Sequence, residues 1–246
     1  MSGRRTVLTV HVLDTFAEEG VTADAAVISE LGGTPSCVAT GILAGSPAVA
    51  RAFAPLPLSL VELQIDAALA HGSPAAIRVG FVSGPGAVER VAELIRTAAP
   101  ETSVLAPVVR LLEPSARTGD EMSGIETHAF PDARVLVARA GDFAAFRLPA
   151  PETIEDLRSA AGALRARGAR AALVTGLVVR GRVFDLLDDD GAITVLDTAR
   201  VQTGRVRGLA GAHAAALATH LAGGMPLSAA TEAAQRYVGF RLQRGR

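Results

Sequence analysis

The sequence predicts an α/β fold in which a largely parallel central sheet is covered by helices. Short apolar runs alternate with amphipathic stretches along the 246 residues, which is the pattern of strands joined by crossover helices. Hydrophobic residues make up 49% of the chain and aromatic residues 4%, an aliphatic and alanine-rich composition that is typical of a globular α/β protein. A chain of this length can bury a full core, so we expect one domain over residues 1–246.

Each predicted strand is a short apolar run between polar or turn-forming residues. Parallel strands that are buried on both faces have this character, because helices cover both sides of their sheet. The strands are expected over Thr6–Val12, Ser36–Thr40, Ala75–Val82, Ser103–Val109, Arg134–Val137 and Ala171–Thr175.

Six helices are predicted where apolar residues recur at intervals of three and four. Val88, Val91 and Leu94 share one face of the third helix. Ser59 and Glu62 have the spacing of a capping box at the start of the second helix. The helices are expected over Thr22–Leu31, Ser59–Ala70, Pro85–Ala98, Glu152–Arg167, Gly208–Gly224 and Pro226–Leu242.

Two further segments break the alternation of strands and helices. Val178–Leu187 and Ala192–Leu196 flank Asp188–Gly191, whose Asp-Gly pair favours a tight turn, so we predict an edge β-hairpin. Glu113–Pro131 is polar and punctuated by Gly, Pro and Ser, which predicts an irregular loop.

Charge and hydropathy exclude several classes of partner. The net charge of −1 gives no electrostatic reason to expect nucleic acid or an anionic membrane. The apolar runs are too short for a membrane span, and residues 1–5 lead into a strand pattern rather than a signal peptide, so we expect a cytoplasmic protein.

Cysteine and lysine usage limits the available chemistry. Cys37 is the one cysteine, so no internal disulfide can form, and we interpret it as a buried side chain. All 24 basic residues are arginine. Without lysine the chain can form no side-chain Schiff base and has no lysine point charge for a phosphate.

The segment Arg207–Gly211 has the character of an anion-binding helix entrance. Small residues crowd the first turn of the predicted Gly208–Gly224 helix, whose free N–H groups and dipole favour a negative group. A kinase also needs a base that takes the proton from the attacking hydroxyl. Asp, Glu, Cys and His are all missing from Gly208–Ala212.

Several segments match one family pattern in a common order and at near-constant spacing. Thr9–Asp24 aligns without a gap with a strand and Gly-rich turn, and Asp14, Gly20 and Asp24 match it. The other matches are Ile77–Phe81 with VKIGML, Leu105–Val109 with LDPVM, Ala215–Leu227 with AAIAAYLARGLPL, and Thr231–Tyr237 with a helix ending near DYV. The chain thereby resembles the vitamin-kinase branch of the ribokinase-like superfamily, especially the hydroxymethylpyrimidine and phosphomethylpyrimidine kinases of thiamin synthesis, with pyridoxal kinase as a relative.

The resemblance implies a ribokinase-like fold, a homodimer, and ATP with Mg²⁺ as cofactors of an active member. It also shows where this chain departs from the family. The family's GTGC or GTGD falls on Gly208–Gly211, which puts Gly211 in place of the catalytic Cys or Asp. The other replaced positions are Thr175 for the lysine of VKGG, Ala106 for the acid of LDP, Arg139 for the Asn of TPN, and Gly45 for the glutamine of TAQ.

Two acids of the pattern are retained. Asp142 stands at the metal-side position and Asp24 at the substrate-contacting position. Asp24 would contact a ligand, or it would be an acid in the first turn of a helix that interacts favourably with the helix dipole alone. Asp14, with Glu18 and Glu19, would form an acidic lip over the pocket or a group of solvated loop acids.

Candidate site residues follow from the resemblance and from the helix entrance. Arg200, Arg205 and Arg207 would replace the lost lysine or form a solvated loop. His213 is expected to turn away from Gly211, so that it is a packed or exposed side chain rather than a base or, with His220, a metal ligand. We predict no catalytic residue at Gly211 and name no metal ligand. The ligand candidates are Asp24, Asp14, His11, Gly45 and Val108, and the phosphate or nucleotide candidates are Gly208, Ala210, Gly211, Thr175, Arg207 and Asp142.

Three functions are consistent with these residues. The first is a kinase-like protein that has lost its chemistry and binds a vitamin precursor, its phosphate or a nucleotide. The second is a working kinase for a pyrimidine or pyridoxal-type alcohol that uses relocated groups such as Asp142. The third is a structural protein with a vestigial cleft, which a cleft filled by Phe16 and Leu209 would favour.

Overall fold

A computed structural model of the chain describes residues 5–45, 50–83, 86–108, 119–201 and 208–244. These residues form a nine-stranded sheet with helices on both faces. A 3₁₀ helix covers Ala140–Phe146. The strands are β1 (Thr6–Asp14), β2 (Thr34–Gly45), β3 (Ala50–Pro55), β4 (Ala76–Val79), β5 (Ser103–Leu105), β6 (Val135–Arg139), β7 (Ala171–Val179), β8 (Arg182–Asp189) and β9 (Ala192–Ala199). The helices are α1 (Gly20–Glu30), α2 (Leu58–Leu69), α3 (Ala87–Ala98), α4 (Gly119–His128), α5 (Ile154–Ala166), α6 (Leu209–Ala222) and α7 (Leu227–Arg244).

The sheet has the order β3-β2-β1-β4-β5-β6-β7-β8-β9. The six strands from β2 to β7 in this order are parallel, whereas β3, β8 and β9 pair antiparallel at the two edges. This confirms the predicted parallel sheet with an antiparallel pair at one edge. The carboxyl ends of the parallel strands meet along one edge, where open α/β sheets bind their ligands.

Two layers of helices bury the two faces of the sheet. One core contains Val61 of α2, Val91 of α3, Ile125 of α4 and Leu157 of α5. The other contains side chains of α1, α6 and α7. Helix α6 is buried nearly all round because alanine predominates in it, so its backbone can approach the sheet and α7 closely.

The structure corrects three predictions of secondary structure. Helix α4 lies within the predicted loop Glu113–Pro131, where burial of Ile125 stabilises a helix that its polar composition does not predict. Strand β3 was not predicted. The predicted strand Val178–Leu187 is broken by a turn at Arg180 and Gly181, both with positive φ, so that β7 reverses into β8.

The predicted Asp-Gly turn and the predicted burial of Cys37 have different outcomes. The Asp190-Gly191 pair adopts positive φ at both residues and joins β8 to β9, which confirms the predicted Asp-Gly turn. The expectation that Cys37 is buried is wrong, because the side chain is exposed. The reason is that β3 pairs with β2 only from Gly41 onward, so the first part of β2, which includes Cys37, is uncovered on that side.

The predicted capping box at Ser59 is also wrong. Helix α2 begins at Leu58 after Pro57, and no side chain caps it, so Ser59 lies inside the helix. A complete capping box instead begins α5. The Thr153 side chain accepts from the Asp156 N–H at 3.1 Å, and the Asp156 carboxylate accepts from the Thr153 N–H at 2.9 Å.

We expect Thr153→Ala to lower the free energy of unfolding by about 1 kcal/mol, because it removes one acceptor from the first turn of α5. Urea denaturation followed by circular dichroism measures this change. Ser59→Ala is the matched control, and it should change the free energy by less than about 0.5 kcal/mol. Equal losses in the two variants would contradict the assignment of the cap.

Candidate functional site

A cavity of about 780 Å³ lies at the carboxyl edge of the sheet. Its size is typical of pockets for small organic ligands. The ends of β1, β6 and β7, strands β8 and β9, and helices α1, α6 and α7 all contribute to its walls. Phe16 does not fill it, because this side chain is 51% exposed.

Two glycines fix the start of α6 against the loop that follows β1. Gly208 precedes the helix with a φ of 75°, and a Cβ atom there would overlap the Glu18 carbonyl oxygen. Gly20 has a φ of 80°, and a Cβ atom there would overlap the Val12 carbonyl oxygen. The first N–H groups of α6, which have no intrahelical partner, therefore lie beside the cavity close to this loop.

A buried ion pair lies beside Gly211. Arg78 Nε is 3.2 Å from Asp24 Oδ2, and both side chains are 1% exposed. Thr9 Oγ1 donates to the same carboxylate oxygen at 2.5 Å. A Cβ atom at Gly211 would lie 3.4 Å from Arg78 Nη2 and 3.8 Å from Asp24 Oδ1. The place of the family's catalytic side chain is therefore bordered by a guanidinium and a carboxylate.

Each partner of this pair has a polar atom to spare. Among the described residues, neither Asp24 Oδ1 nor Arg78 Nη1 has a hydrogen-bond partner. Burial raises the pKa of Asp24, while Arg78 and the Thr9 hydrogen bond oppose that rise. Burial lowers the pKa of Arg78, and the charge of Asp24 opposes it. The two charges stabilise each other where water cannot.

Arg78 reaches the cavity across Gly80. A Cβ atom at Gly80 would overlap both Arg78 Nη1 and the His11 ring, so only glycine leaves room for the two side chains. His11 is buried and lines the cavity, and its Nδ1 accepts from the Val12 N–H at 2.7 Å.

A second ion pair stands at the end of β6. Arg139 Nε donates to Asp142 Oδ2 at 2.6 Å, and Arg139 Nη2 donates to Oδ1 at 2.8 Å. The hydrogen bond with Asp142 raises the pKa of Arg139. Both side chains line the cavity, and the bidentate contact engages both oxygens of the carboxylate.

Most of the predicted site residues meet at this cavity. Asp24, His11 and Val108 line it, as do Gly208, Ala210, Gly211, Thr175 and Asp142. Arg200 lines it too, whereas Arg205 and Arg207 lie outside the described residues.

Two of the ligand candidates are not among the described lining residues. Asp14 is 3% exposed, and its carboxylate accepts from the N–H groups of Phe16 and Glu19, so it shapes the loop rather than forming a lip. Gly45 ends β2 and pairs with Ala50, which lines the cavity, but Gly45 itself is not among the lining residues. Glu19 is the loop acid that does line the cavity.

His213 is both packed and part of the cavity wall. Of the two expected environments, packed or exposed, the side chain has the first at 6% exposure, and it lines the same cavity as Gly211. Arg78, Asp185 and Gln235 also line it, and sequence reasoning missed all three as site residues. The available signal was a charged residue inside an apolar strand, as in Arg78 within Ile77–Val79 and Asp185 within Phe184–Leu186.

Within the part of the chain that the structure describes, no three His, Cys, Asp or Glu side chains form a group that could hold a metal ion. None of the described helices is both long and apolar enough to cross a membrane.

Comparison with known proteins agrees with the geometry. The phosphomethylpyrimidine kinase family matches residues 14–245. A hydroxymethylpyrimidine/phosphomethylpyrimidine kinase of Streptomyces coelicolor is 30% identical over 97% of this chain and 89% of its own length.

Two solved structures have the same fold. Pyridoxal kinase from Staphylococcus aureus, in complex with AMP-PCP and pyridoxal, superposes with a TM-score of 0.87 at 24% identity, covering 97% of this chain and 87% of that one. Phosphomethylpyrimidine kinase from Clostridium difficile gives 0.79 at 20% identity, covering 95% and 99%. The fold is thus ribokinase-like, as the sequence predicted, and the chain belongs to the phosphomethylpyrimidine kinase family.

Proposed function

We propose that this chain binds a vitamin precursor, its phosphate or a nucleotide in the cavity, and that it has lost most of the phosphotransfer chemistry of its family. The observation that carries the proposal is the buried Arg78–Asp24 pair beside Gly211. The open cavity of about 780 Å³ favours binding over a vestigial cleft.

An anionic group suits the start of α6. The helix dipole and the free N–H groups of the first turn attract negative charge without any side chain. Arg78 adds a guanidinium within reach of Gly211, and Arg139 and Arg200 line the same cavity. The homologous pyridoxal kinase was solved with AMP-PCP, a triphosphate analogue, which supports a phosphate-bearing ligand.

Transfer of a phosphoryl group needs more than this anion site. It depends on positioned positive charge and on a group that accepts the hydroxyl proton. Gly211 offers no side chain, and Thr175 stands where the resemblance implies a lysine. Loss of the base alone lowers a rate by roughly 10²- to 10⁴-fold. The missing positive charge of the lysine lowers the rate further.

The Mg²⁺ implied by the family does not fit the described residues. Asp142 is the acid at the metal-side position, and Arg139 holds both of its oxygens. A guanidinium already supplies the positive charge there. We therefore propose that ligand binding does not use a metal held by Asp142.

One observation favours a second candidate, a working kinase for a pyrimidine or pyridoxal-type alcohol. Asp24 Oδ2 is held by Arg78 and Thr9, while Oδ1 has no partner among the described residues and lies near the vacant side-chain position of Gly211. A carboxylate anchored through one oxygen can accept a proton through the other. Asp24 would then act as the relocated base.

Domain organisation, oligomeric state and compartment are part of the same proposal. We propose one domain over residues 1–246 that forms a homodimer in the cytoplasm. Light scattering during size-exclusion chromatography tests the dimer.

We expect binding without turnover. Hydroxymethylpyrimidine phosphate or ADP at ~100 Kd should raise the free energy of unfolding by about 2.7 kcal/mol. ATP consumption with hydroxymethylpyrimidine, its phosphate and pyridoxal should stay below about 0.1 s⁻¹. Thermal shift measures the first and a coupled ATPase assay the second, and faster turnover with any of the three compounds would contradict the loss of chemistry.

Asp24→Asn separates the two candidates. If Asp24 is a relocated base, the variant loses about 10²- to 10⁴-fold in turnover, and Gly211→Asp in the same chain restores part of it. If the protein only binds, the wild type and both variants show no turnover in the coupled assay. Asp132→Asn is the control, because its carboxylate pairs with Arg96 and is not among the residues that line the cavity.

The affinity for ADP should be the same in 5 mM Mg²⁺ and in EDTA, within about threefold in Kd. Such a change corresponds to about 0.7 kcal/mol in the free energy of binding. The reason is that Arg139 occupies the carboxylate that a metal would need. Arg139→Gln frees Asp142 and should make binding stronger in Mg²⁺ than in EDTA, whereas the exposed Arg96→Gln should not. Calorimetry measures the affinities of the wild type and of both variants. Loss of wild-type binding in EDTA would contradict the prediction.

A further inference from the structure

A third apolar cluster, separate from the two cores, lies at the carboxyl edge of the sheet. Its buried members are Val12, Leu43 and Phe81, and Phe53 and Val108 are among the side chains that pack against them. Val12 and Leu43 lie near the ends of β1 and β2, and Phe81 follows β4. Val108 also lines the cavity, whereas the other four are not among the described lining residues. The cluster is therefore a neighbour of the cavity rather than part of its wall.

The cluster occupies the place where an open α/β sheet usually binds its ligand. Strand β1 lies between β2 and β4, so the chain continues on one side of β1 through β2 and β3 and returns on the other side as β4. Ligands of such sheets lie outside the carboxyl ends of the strands at this change of direction, the topological switch point. Here apolar side chains of the chain itself fill that crevice.

Two aromatic rings pair within the cluster. The ring centroids of Phe53 and Phe81 are 5.1 Å apart and the ring planes are inclined by 70°, which is the edge-to-face geometry that aromatic pairs favour. Phe81 is buried, and Thr40 Oγ1 donates to its carbonyl oxygen at 2.7 Å. A Cβ atom at Gly41 would overlap the Phe53 ring, so only glycine leaves room for the ring there. A hydrogen bond and a glycine thus hold the two rings against each other.

Phe53 is the member of the pair that can leave most easily. It lies on β3, which is the outermost strand at one edge of the described sheet and pairs with β2 alone. Its side chain is only partly buried, whereas Phe81 is enclosed by Val12 and Leu43. The planar ring of a ligand at the switch point would compete with the Phe53 ring for the same place beside Phe81.

We propose that Phe53 is a specificity-determining residue that occupies the position of a ligand ring beside Phe81, so that the wild-type cavity favours ligands without an aromatic ring at the switch point. This inference rests on the proposed function and narrows the class of ligand. A ring-shaped vitamin precursor binds at this position only in the fraction of molecules whose Phe53 side chain has left it, which lowers its apparent affinity by that fraction. A ligand that lies along Arg139 and the start of α6 avoids this competition.

Calorimetry on Phe53→Ala tests the inference. The variant leaves a ring-sized space beside Phe81, and apolar cavities of that kind bind ring-shaped molecules. Hydroxymethylpyrimidine and pyridoxal should bind Phe53→Ala at least about tenfold more tightly than the wild type, because no side chain has to leave. The affinity for ADP should change by less than about threefold, because Phe53 is not among the residues that line the described cavity.

Two further variants serve as controls. Phe240→Ala removes the same type of side chain from α7, where Phe240 is half exposed and is not among the lining residues, so it should bind all three probes as the wild type does. Phe53→Leu refills most of the space with an apolar side chain. It should return the affinity for both ring compounds to within about threefold of the wild type.

A fluorescence measurement reports the displacement of the ring directly. The chain contains no tryptophan, so Phe53→Trp supplies a single indole at this position. Saturating hydroxymethylpyrimidine should shift its emission to longer wavelength, because the indole moves toward water, and ADP should leave the emission unchanged. This variant keeps a bulky ring in place, so it decides the question if Phe53→Ala does not fold.

The contrary outcomes separate this inference from the proposed function. Equal affinity of the wild type and Phe53→Ala for the ring compounds would overturn the inference and leave the proposed function standing. Absence of ring binding by Phe53→Ala while ADP still binds would do the same. An unchanged Phe53→Trp emission at saturating hydroxymethylpyrimidine would also overturn the inference. If neither the wild type nor any variant binds any of the three probes, the inference and the proposed function are both removed.

Discussion

The buried ion pair of Arg78 and Asp24 is the constraint on which the rest of the site depends. Two charges at 1% exposure persist only because each has the other within 3.2 Å. A buried ion pair adds little net stability compared with apolar side chains, but removal of either partner leaves the other charge buried and uncompensated. Glycine at 80 gives the guanidinium its path, and glycine at 211 leaves it room beside α6.

This pair changes the chemistry of an otherwise typical cleft. The parallel sheet brings strand ends to one edge, and the α6 start supplies an anion site that depends on backbone groups alone. What a phosphotransferase adds to such a site is charge and a proton acceptor at defined positions. Here the positions hold paired side chains, Arg78 with Asp24 and Arg139 with Asp142. Of the two acids, Asp142 has both oxygens engaged, whereas Asp24 keeps Oδ1 without a partner among the described residues.

The polar side chains of the cavity differ in charge. Guanidinium groups and helix N–H groups favour anions, whereas Asp185 adds a carboxylate and His213 adds a ring whose buried Nε2 has no partner among the described residues. Helix α6 contributes Gly211 and, two residues further on, His213 to the same cavity. The start of this helix is therefore polar on its side chains as well as on its backbone.

The sequence by itself determined the fold class, the order of the parallel strands' apolar runs, the α6 entrance and the loss of a side chain at Gly211. These are local properties, set by periodicity, glycine placement and residue type. Helix α4, the β7–β8 turn and the Thr153 cap were decided by burial and backbone geometry that a polar segment, a continuous apolar run or a Ser-x-x-Glu spacing does not reveal. Only the tertiary structure brought Arg78, Asp185 and His213 into one cavity, because they lie on β4, β8 and α6 and meet solely through the packing of helices on the sheet.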